Sequence, residues 1–237
     1  LSAELLPVGI RSRLIHDVNG ITMHILEAGF ETPGRQAVLM IHGFPELAYS
    51  WRKVMLPLAA AGYHVIAPDV RGYGRSDCTD VKYGDDLRPF GTLNKIHDML
   101  ALISALGYRS VAAVIGHDQG SPTAGWCAIA RPDVFRSVVM MSSPLRGGID
   151  SLPFNTASMP PAPVQPNRIH EDLAHLTPPR KYYMKYYTTE SANENMWHAK
   201  QGLHHFLRAY YHMKSADWAP NRPFPLKALT ASEWGKL

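Results

Sequence analysis

The stretch that decides the fold is VAAVIGHDQGSPTAG, residues 111–125. It opens as an apolar run of strand character, halts at Gly116, and resumes behind Gly120 as a segment of helical character. Asp118 sits in the middle of the halt. The five residues Gly116-His117-Asp118-Gln119-Gly120 have the spacing small-x-nucleophile-x-small. Two glycines allow a strand-to-helix turn too tight for a Cβ, and the turn lifts the central side chain above the edge of a sheet. The same turn aims the amide of Gln119 into the space above Asp118, at the positive end of the following helix. The plainer alternative is that Asp118 only caps that helix, but a cap needs neither flanking glycine.

Working outward, strand-like runs rich in Val and Ile recur at 21–27, 37–41, 64–68, 111–115 and 138–141. Between the third and fourth, residues 92–106 place Leu93, Ile96, Leu100, Ile103 and Leu106 on one helical face, with Gly107 as a stop. Residues 47–61 and 121–131 also read as helices. Strands alternating with helices imply βαβ units, hence an α/β fold built on a mostly parallel, doubly wound sheet. Residues 1–145 are expected to form the first part of this core. From 146 the texture changes: 146–179 is proline-rich and irregular, and 181–217 is rich in Tyr, His and Met at helical spacing. Residues 146–225 are therefore expected to be a linker and a helical cap, with 226–237 starting the return to the core. The sheet has not resumed by Leu237, so further strands are expected beyond it, in a segment of the same protein or in a second chain.

Composition narrows the function classes. The chain has 237 residues and 46% hydrophobic content, enough for a sizeable core. Its 24 basic and 20 acidic side chains are interspersed, without a run of five like charges, which argues against nucleic acid or a membrane surface as partner. Cys78 and Cys127, the two cysteines, make neither a disulfide framework nor a zinc set, so a reducing, cytoplasmic setting is expected. The start, LSAELLPVGIRSR, lacks the pattern of a secretory signal and also lacks an initiator Met, as a trimmed start would. His198, His204, His205 and His212 do not fall at ligand spacing, and no metal or other cofactor is expected.

A second amide aimed at Asp118 is expected from the loop after the run VLMI, which reads His42-Gly43-Phe44-Pro45. Gly43 and Pro45 bend it so that the Phe44 N–H turns inward. Phe44 and Gln119 amides together would form an oxyanion hole. His42 is read as a hydrogen-bonded structural histidine.

These residues resemble the epoxide hydrolase and haloalkane dehalogenase group of the α/β-hydrolases. The match consists of HGFPE at 42–46 with Trp51 following, DVRGYGRSD at 69–77, GHDQGS at 116–121 and RPDVF at 131–135. The resemblance implies an α/β-hydrolase core with an inserted helical cap. It also implies a catalytic histidine and an acid from loops after the cap, beyond Leu237, so no histidine of this chain is assigned as the base.

The choice of aspartate over serine at the elbow indicates the substrate. An ordinary aspartate is already ionised at neutral pH and needs no base to activate it. A carboxylate attacks amides and esters poorly, but when aligned and desolvated it displaces a leaving group from saturated carbon. Water then attacks the resulting ester, and the two amides hold the oxyanion. An epoxide leaves a basic alkoxide that needs a proton donor, whereas a halide needs only N–H donors. Dehalogenases of the group commonly carry Trp or Arg after the nucleophile; here the residue is Gln119, and Trp126 reads as packing. The cap segments RKYYMKYYTT at 180–189 and GLHHFLRAYYHMKSADW at 202–218 resemble those of epoxide hydrolases and align Tyr183 and Tyr210 with the oxygen-activating tyrosines, Tyr186 and Tyr211 being the neighbouring choices. Phe44, Pro45, His117 and Tyr186 are expected to line the substrate side. The expectation is a small apolar epoxide opened to a vicinal diol. The alternatives are a haloalkane or haloacid dehalogenase with the same nucleophile, and a non-catalytic ligand-binding protein on a hydrolase scaffold.

Overall fold

The computed structural model describes residues 5–145, 168–222, 225–228 and 230–236, and divides the chain into two units, Leu1–Ser158 and Met159–Leu237. The first unit is built on six strands: β1 (Ile10–Val18), β2 (Ile21–Ala28), β3 (Ala37–Ile41), β4 (His64–Pro68), β5 (Ala113–His117) and β6 (Val138–Met141). Their order across the sheet is β1-β2-β4-β3-β5-β6. β1, β2 and β4 pair antiparallel, while β4, β3, β5 and β6 run parallel. The chain leaves β3 to one side for β4 and crosses back to the other side for β5. That reversal opens a crevice at the carboxyl ends of β3 and β5, where ligands bind in open α/β sheets.

The central strands are buried on both faces: every residue of AVLMI in β3 and of HVIAP in β4 is covered. Alternate β3 side chains enter two separate cores. Leu39 and Ile41 pack with Met23, Ile66, Met99, Leu102 and Phe135, under α2 (Thr92–Ala105) and α3 (Gly120–Ala130). Val38 and Met40 pack with Leu26, Val65, Trp51 and Met55, under α1 (Arg52–Ala60). Trp126 packs against the first of these cores, as its place in the helix suggests.

Most elements fall where the periodicity places them, with instructive differences. Residues 47–61 form a 3-10 turn, Ala48–Trp51, before α1 rather than one helix. The run at 111–115 enters the sheet two residues late, because Val111 instead makes an isolated bridge to Phe135. β1 was not legible: IRSRLIHDV carries charged residues where an alternating strand would show a clean polar face. Arg11 and Arg13 of β1 both reach the fully buried Glu27 of β2, at 2.7 and 3.0 Å, and His64 of β4 meets the same carboxylate at 3.0 Å. What looks like a surface segment is therefore a strand pinned by ion pairs.

β6 differs from its neighbours, since Val138, Val139 and Met141 are exposed. Among the described residues, no helix is long and apolar enough to cross a membrane.

In the second unit, α4 (Ile169–Ala174) interrupts the stretch expected to be irregular. No proline falls between Pro166 and Pro178. Ile169 and Leu173, one turn apart, bury one face, and Glu171 and Asp172 suit a helix N-terminus. Residues 146–167 of the expected linker lie outside the described residues. The cap segments fold as α5 (Tyr183–Tyr186), α6 (Ala192–Trp197) and α7 (Leu203–Met213), and α8 (Ala231–Trp234) follows.

Glu27 gives the fold a pH signature. Burial raises its carboxyl, but the bonds from His64 and Arg11 and the charges of both arginines outweigh that and bring it down to about 2. A carboxylate lowered in the folded state stabilises above its unfolded value of 4.5 and loses that contribution as pH falls through about 2. Urea unfolding between these pH values should therefore weaken steeply in the parent and less steeply in Glu27→Gln. Parallel curves for the two proteins would contradict this role.

Candidate active site

The elbow forms as its spacing requires. β5 ends at His117 and α3 begins at Gly120, and between them Asp118 takes a left-handed backbone, φ +51°. For a non-glycine residue this conformation costs roughly 1–3 kcal/mol. The glycines make the turn possible by close approach: a Cβ on Gly116 would overlap the Gly120 carbonyl, and one on Gly120 would overlap the Ile41 carbonyl of β3. The Asp118 N–H donates to Met141 O at the end of β6, and Ser121 N–H donates to Asp118 O. The strained corner is thus tied on both sides.

The oxyanion loop meets it from β3. The Phe44 N–H donates to Asp118 Oδ1 at 3.0 Å, which is the amide expected from HGFP. Gln119 lies at the opening of α3, so its amide is at the helix N-terminus, as expected. Glu46, quoted in the motif but given no role from sequence, holds the loop in shape. Its N–H donates to Gly43 O at 3.0 Å, and its Oε2 accepts the Gly43 N–H at 3.2 Å. The same oxygen is 2.9 Å from His117 Nδ1, so one carboxylate joins the loop to the residue beside Asp118. His117 is therefore engaged by Glu46 in this structure. Phe44 and Pro45 are half-buried, joined by a cis peptide bond.

His42 is structural. It is buried, with Nδ1 2.8 Å from Gly43 O, and its Nε2 accepts the Val70 N–H at 3.0 Å. These partners fix one neutral tautomer, with the proton on Nδ1. The ring ties the oxyanion loop to the segment after β4 and stacks edge-on against Tyr73, centroids 5.1 Å apart. Burial pushes the Tyr73 phenol up, and the charge of nearby Asp118 adds to this. Tyr73 is a neighbour of Asp118 that sequence reasoning missed, although it stands inside DVRGYGRSD. Tyr73, Lys95, Gln119 and Thr123 also line a small cavity of about 20 Å³ beside the elbow, room for about one water.

The segment 69–77 is itself anchored. Asp69 accepts from Ala48 N–H at 2.8 Å and Arg75 N–H at 3.2 Å, and its Oδ2 is 2.7 Å from His24 Nδ1. Arg71 grips Asp98 of α2 in a buried two-pronged pair, 2.9 and 2.6 Å.

The cap tyrosines are placed within the second unit. Tyr183 is 48% exposed, its ring edge-on to Tyr182 and Tyr187. Tyr186 carries the Lys181 ammonium over its ring at 3.9 Å. Tyr210 is half-buried on α7, hydrogen-bonded to Tyr187, and its oxygen accepts from Lys214 at 2.6 Å. Tyr211 is 44% exposed. His198 pairs with Glu194, and His204 with the His205 ring. Among the described residues, no group of three or more His, Cys, Asp or Glu is gathered where it could hold a metal ion.

His42 yields a direct check. Burial lowers its pKa below 6.5, against the opposing pull of the Gly43 carbonyl and the Asp69 and Glu46 charges. For a histidine lowered in the folded state, the stabilising contribution is full above 6.5 and is lost as pH falls through the folded value. Nitrogen-15 NMR of the ring should show a neutral, Nδ1-protonated histidine that titrates below 6.5. An Nε2-protonated ring, or titration above that value, would contradict the arrangement.

Comparison with known proteins places this geometry. The family model for the alpha/beta hydrolase fold matches residues 36–205. The chain is 41% identical over 126 residues to an epoxide hydrolase of Caballeronia sordidicola, covering 53% of this chain and 35% of that protein. It is 33% identical over 169 residues to epoxide hydrolase A of Mycobacterium tuberculosis, covering 71% of this chain and 48% of that protein. It therefore spans about half or less of the length of these curated relatives. Among solved structures, the epoxide hydrolase VrEH1 from Vigna radiata is similar over 92% of this chain and 59% of its own, at 26% identity and a TM-score of 0.64. The family match covers both the elbow and the loop after β3 and extends over more than half of the chain: the chain belongs to the α/β-hydrolase fold family.

Proposed function

We propose that this chain carries the epoxide-opening machinery of an epoxide hydrolase. The observation that carries the reading is the Phe44 N–H on the carboxylate of an aspartate, not a serine, at a left-handed nucleophile elbow. Asp118 attacks a ring carbon and the ring C–O bond breaks, leaving an aspartyl ester. The departing oxygen takes a proton from the cap tyrosines, for which Tyr183 and Tyr210 are the assigned donors. Phe44 and Gln119 amides then hold the oxyanion as water attacks the ester carbonyl. The similarity to proteins named epoxide hydrolases supports the choice of substrate class.

Ester hydrolysis needs a histidine to activate water. His117, next to Asp118 in the chain, and His42, in the loop that carries Phe44, are both engaged elsewhere, with Glu46 and with Gly43 and Val70. We assign the water-activating histidine and its acid to a further segment, of the same protein or of a second chain, that adds strands beside β6. The exposed apolar side chains of β6 suit such a neighbour. The substrate is a small apolar epoxide, and the chemistry calls for no cofactor. Cys78 and Cys127 are free, which fits a reducing compartment, the cytoplasm.

The test uses this chain directly. Incubation with styrene oxide should add one substrate mass, which peptide mapping places on Asp118, and Asp118→Asn should abolish the addition completely. Halide release from chloroalkanes with no adduct from styrene oxide would move the assignment to a dehalogenase. No adduct with either class would remove the catalytic reading.

A further inference from the structure

Tyr210 differs from the other cap tyrosines in what its oxygen receives. Lys214 lies one turn further on, at the end of α7. Its ammonium donates to Tyr210 Oη at 2.6 Å while resting 4.2 Å from the centre of the same ring. A lysine held by both the oxygen and the face of a phenol is fixed more closely than an ordinary surface pair of this spacing. From the other side comes Tyr187. Burial first, then the hydrogen bond to Tyr210, pushes the Tyr187 phenol up to about 12, the direction expected when Tyr187 is the donor. The Tyr210 oxygen thus accepts two hydrogen bonds, which uses both of its lone pairs. Its own O–H is left to donate elsewhere. Tyr183 has ring contacts with Tyr182 and Tyr187 but no such pair of donors on its oxygen among its described contacts.

We propose that Lys214 is a positioning residue that supports the Tyr210 oxygen as this tyrosine gives its proton to the departing oxygen, with Tyr187 as the second support. The proposal rests on the epoxide-opening reading. As Asp118 bonds to the ring carbon and the ring C–O bond breaks, the departing oxygen takes the Tyr210 proton, and the O–H electron pair stays on Tyr210 as a phenolate. The Lys214 ammonium and the Tyr187 hydroxyl stabilise that phenolate where it forms, a contribution larger in the transition state than before it. When water later cleaves the ester, the proton it loses returns to Tyr210. Diol, carboxylate and neutral phenol are restored.

The consequence is a dependence on leaving-group basicity that mere packing would not produce. Propylene oxide opens to a strongly basic alkoxide, whereas its trifluoromethyl analogue, nearly the same in shape, opens to a much less basic one that needs less help from an acid. The measurement is the rate of Asp118 ester formation with each epoxide, by intact mass. Lys214→Met is expected to slow propylene oxide about tenfold, a fraction of the roughly 10²–10⁴-fold that general acid catalysis supplies because Tyr210 itself remains, and the fluorinated epoxide about twofold or less. Lys214→Arg, which keeps the charge and a donor, is expected to restore most of the loss. Equal slowing of both epoxides, or no slowing of either, would overturn the role of Lys214 while leaving Asp118 as nucleophile. Absence of an adduct in the unaltered chain would overturn the epoxide reading and this proposal together.

Discussion

A carboxylate is held at a backbone conformation it would not choose, with an amide from a neighbouring strand aimed at it. The left-handed turn at Asp118 survives because β3 and β5 are adjacent, so the Ile41 carbonyl, the Gly120 Cα and the Phe44 amide converge on one corner. Everything around that corner restrains it. Glu46 fastens the oxyanion loop to His117, His42 fastens the same loop to Val70, and the β6 end holds the Asp118 amide. In the proposed reaction this geometry has an electrostatic use. An amide already pointing at the carboxylate needs no rearrangement when that oxygen becomes the carbonyl of an ester and then an oxyanion.

In the proposed reaction the two halves of the chemistry sit on different parts of the chain. The core supplies an anion that needs no activating base, which is why aspartate suffices at a position where serine would need a histidine. The cap supplies acids. An alkoxide is too basic to leave unaided, and a phenol flanked by an ammonium and a second hydroxyl is suited to protonate it. Gln119 at the position after the nucleophile, in place of a halide-binding Trp or Arg, is consistent with that division.

The elbow was legible in the sequence because its constraints are local: the two glycines and the aspartate they frame lie within five consecutive residues, and sterics alone dictate their spacing. The five strands whose runs are rich in Val and Ile were legible for a similar reason, their signal lying within a few consecutive residues, and β3 and β4 are covered on both faces. β1 was not, because Arg11 and Arg13 read as surface until the buried Glu27 appears opposite them, a partner 16 and 14 residues away. Glu46 and Tyr73 stood in plain view inside motifs, yet their roles depend on His117 and His42 arriving from other strands. α4 was hidden by the prolines on either side of it. The pairing of Tyr210 with Lys214 is at helical spacing and could have been read; the choice of Tyr187 over Tyr183 as its neighbour could not.

The most direct measurement follows one oxygen atom. The protein is mixed with an epoxide in oxygen-18 water from the start, and the first diol is collected as the protein releases it or, once unreacted epoxide is removed, as mild alkali releases it from Asp118. If the carboxylate is the nucleophile, the new hydroxyl of the first diol released carries ordinary oxygen from Asp118, and the heavy isotope appears in the Asp118 side chain. Heavy oxygen in that first diol, with none in Asp118, would mean that water attacks the ring directly and that the elbow holds a base, not a nucleophile.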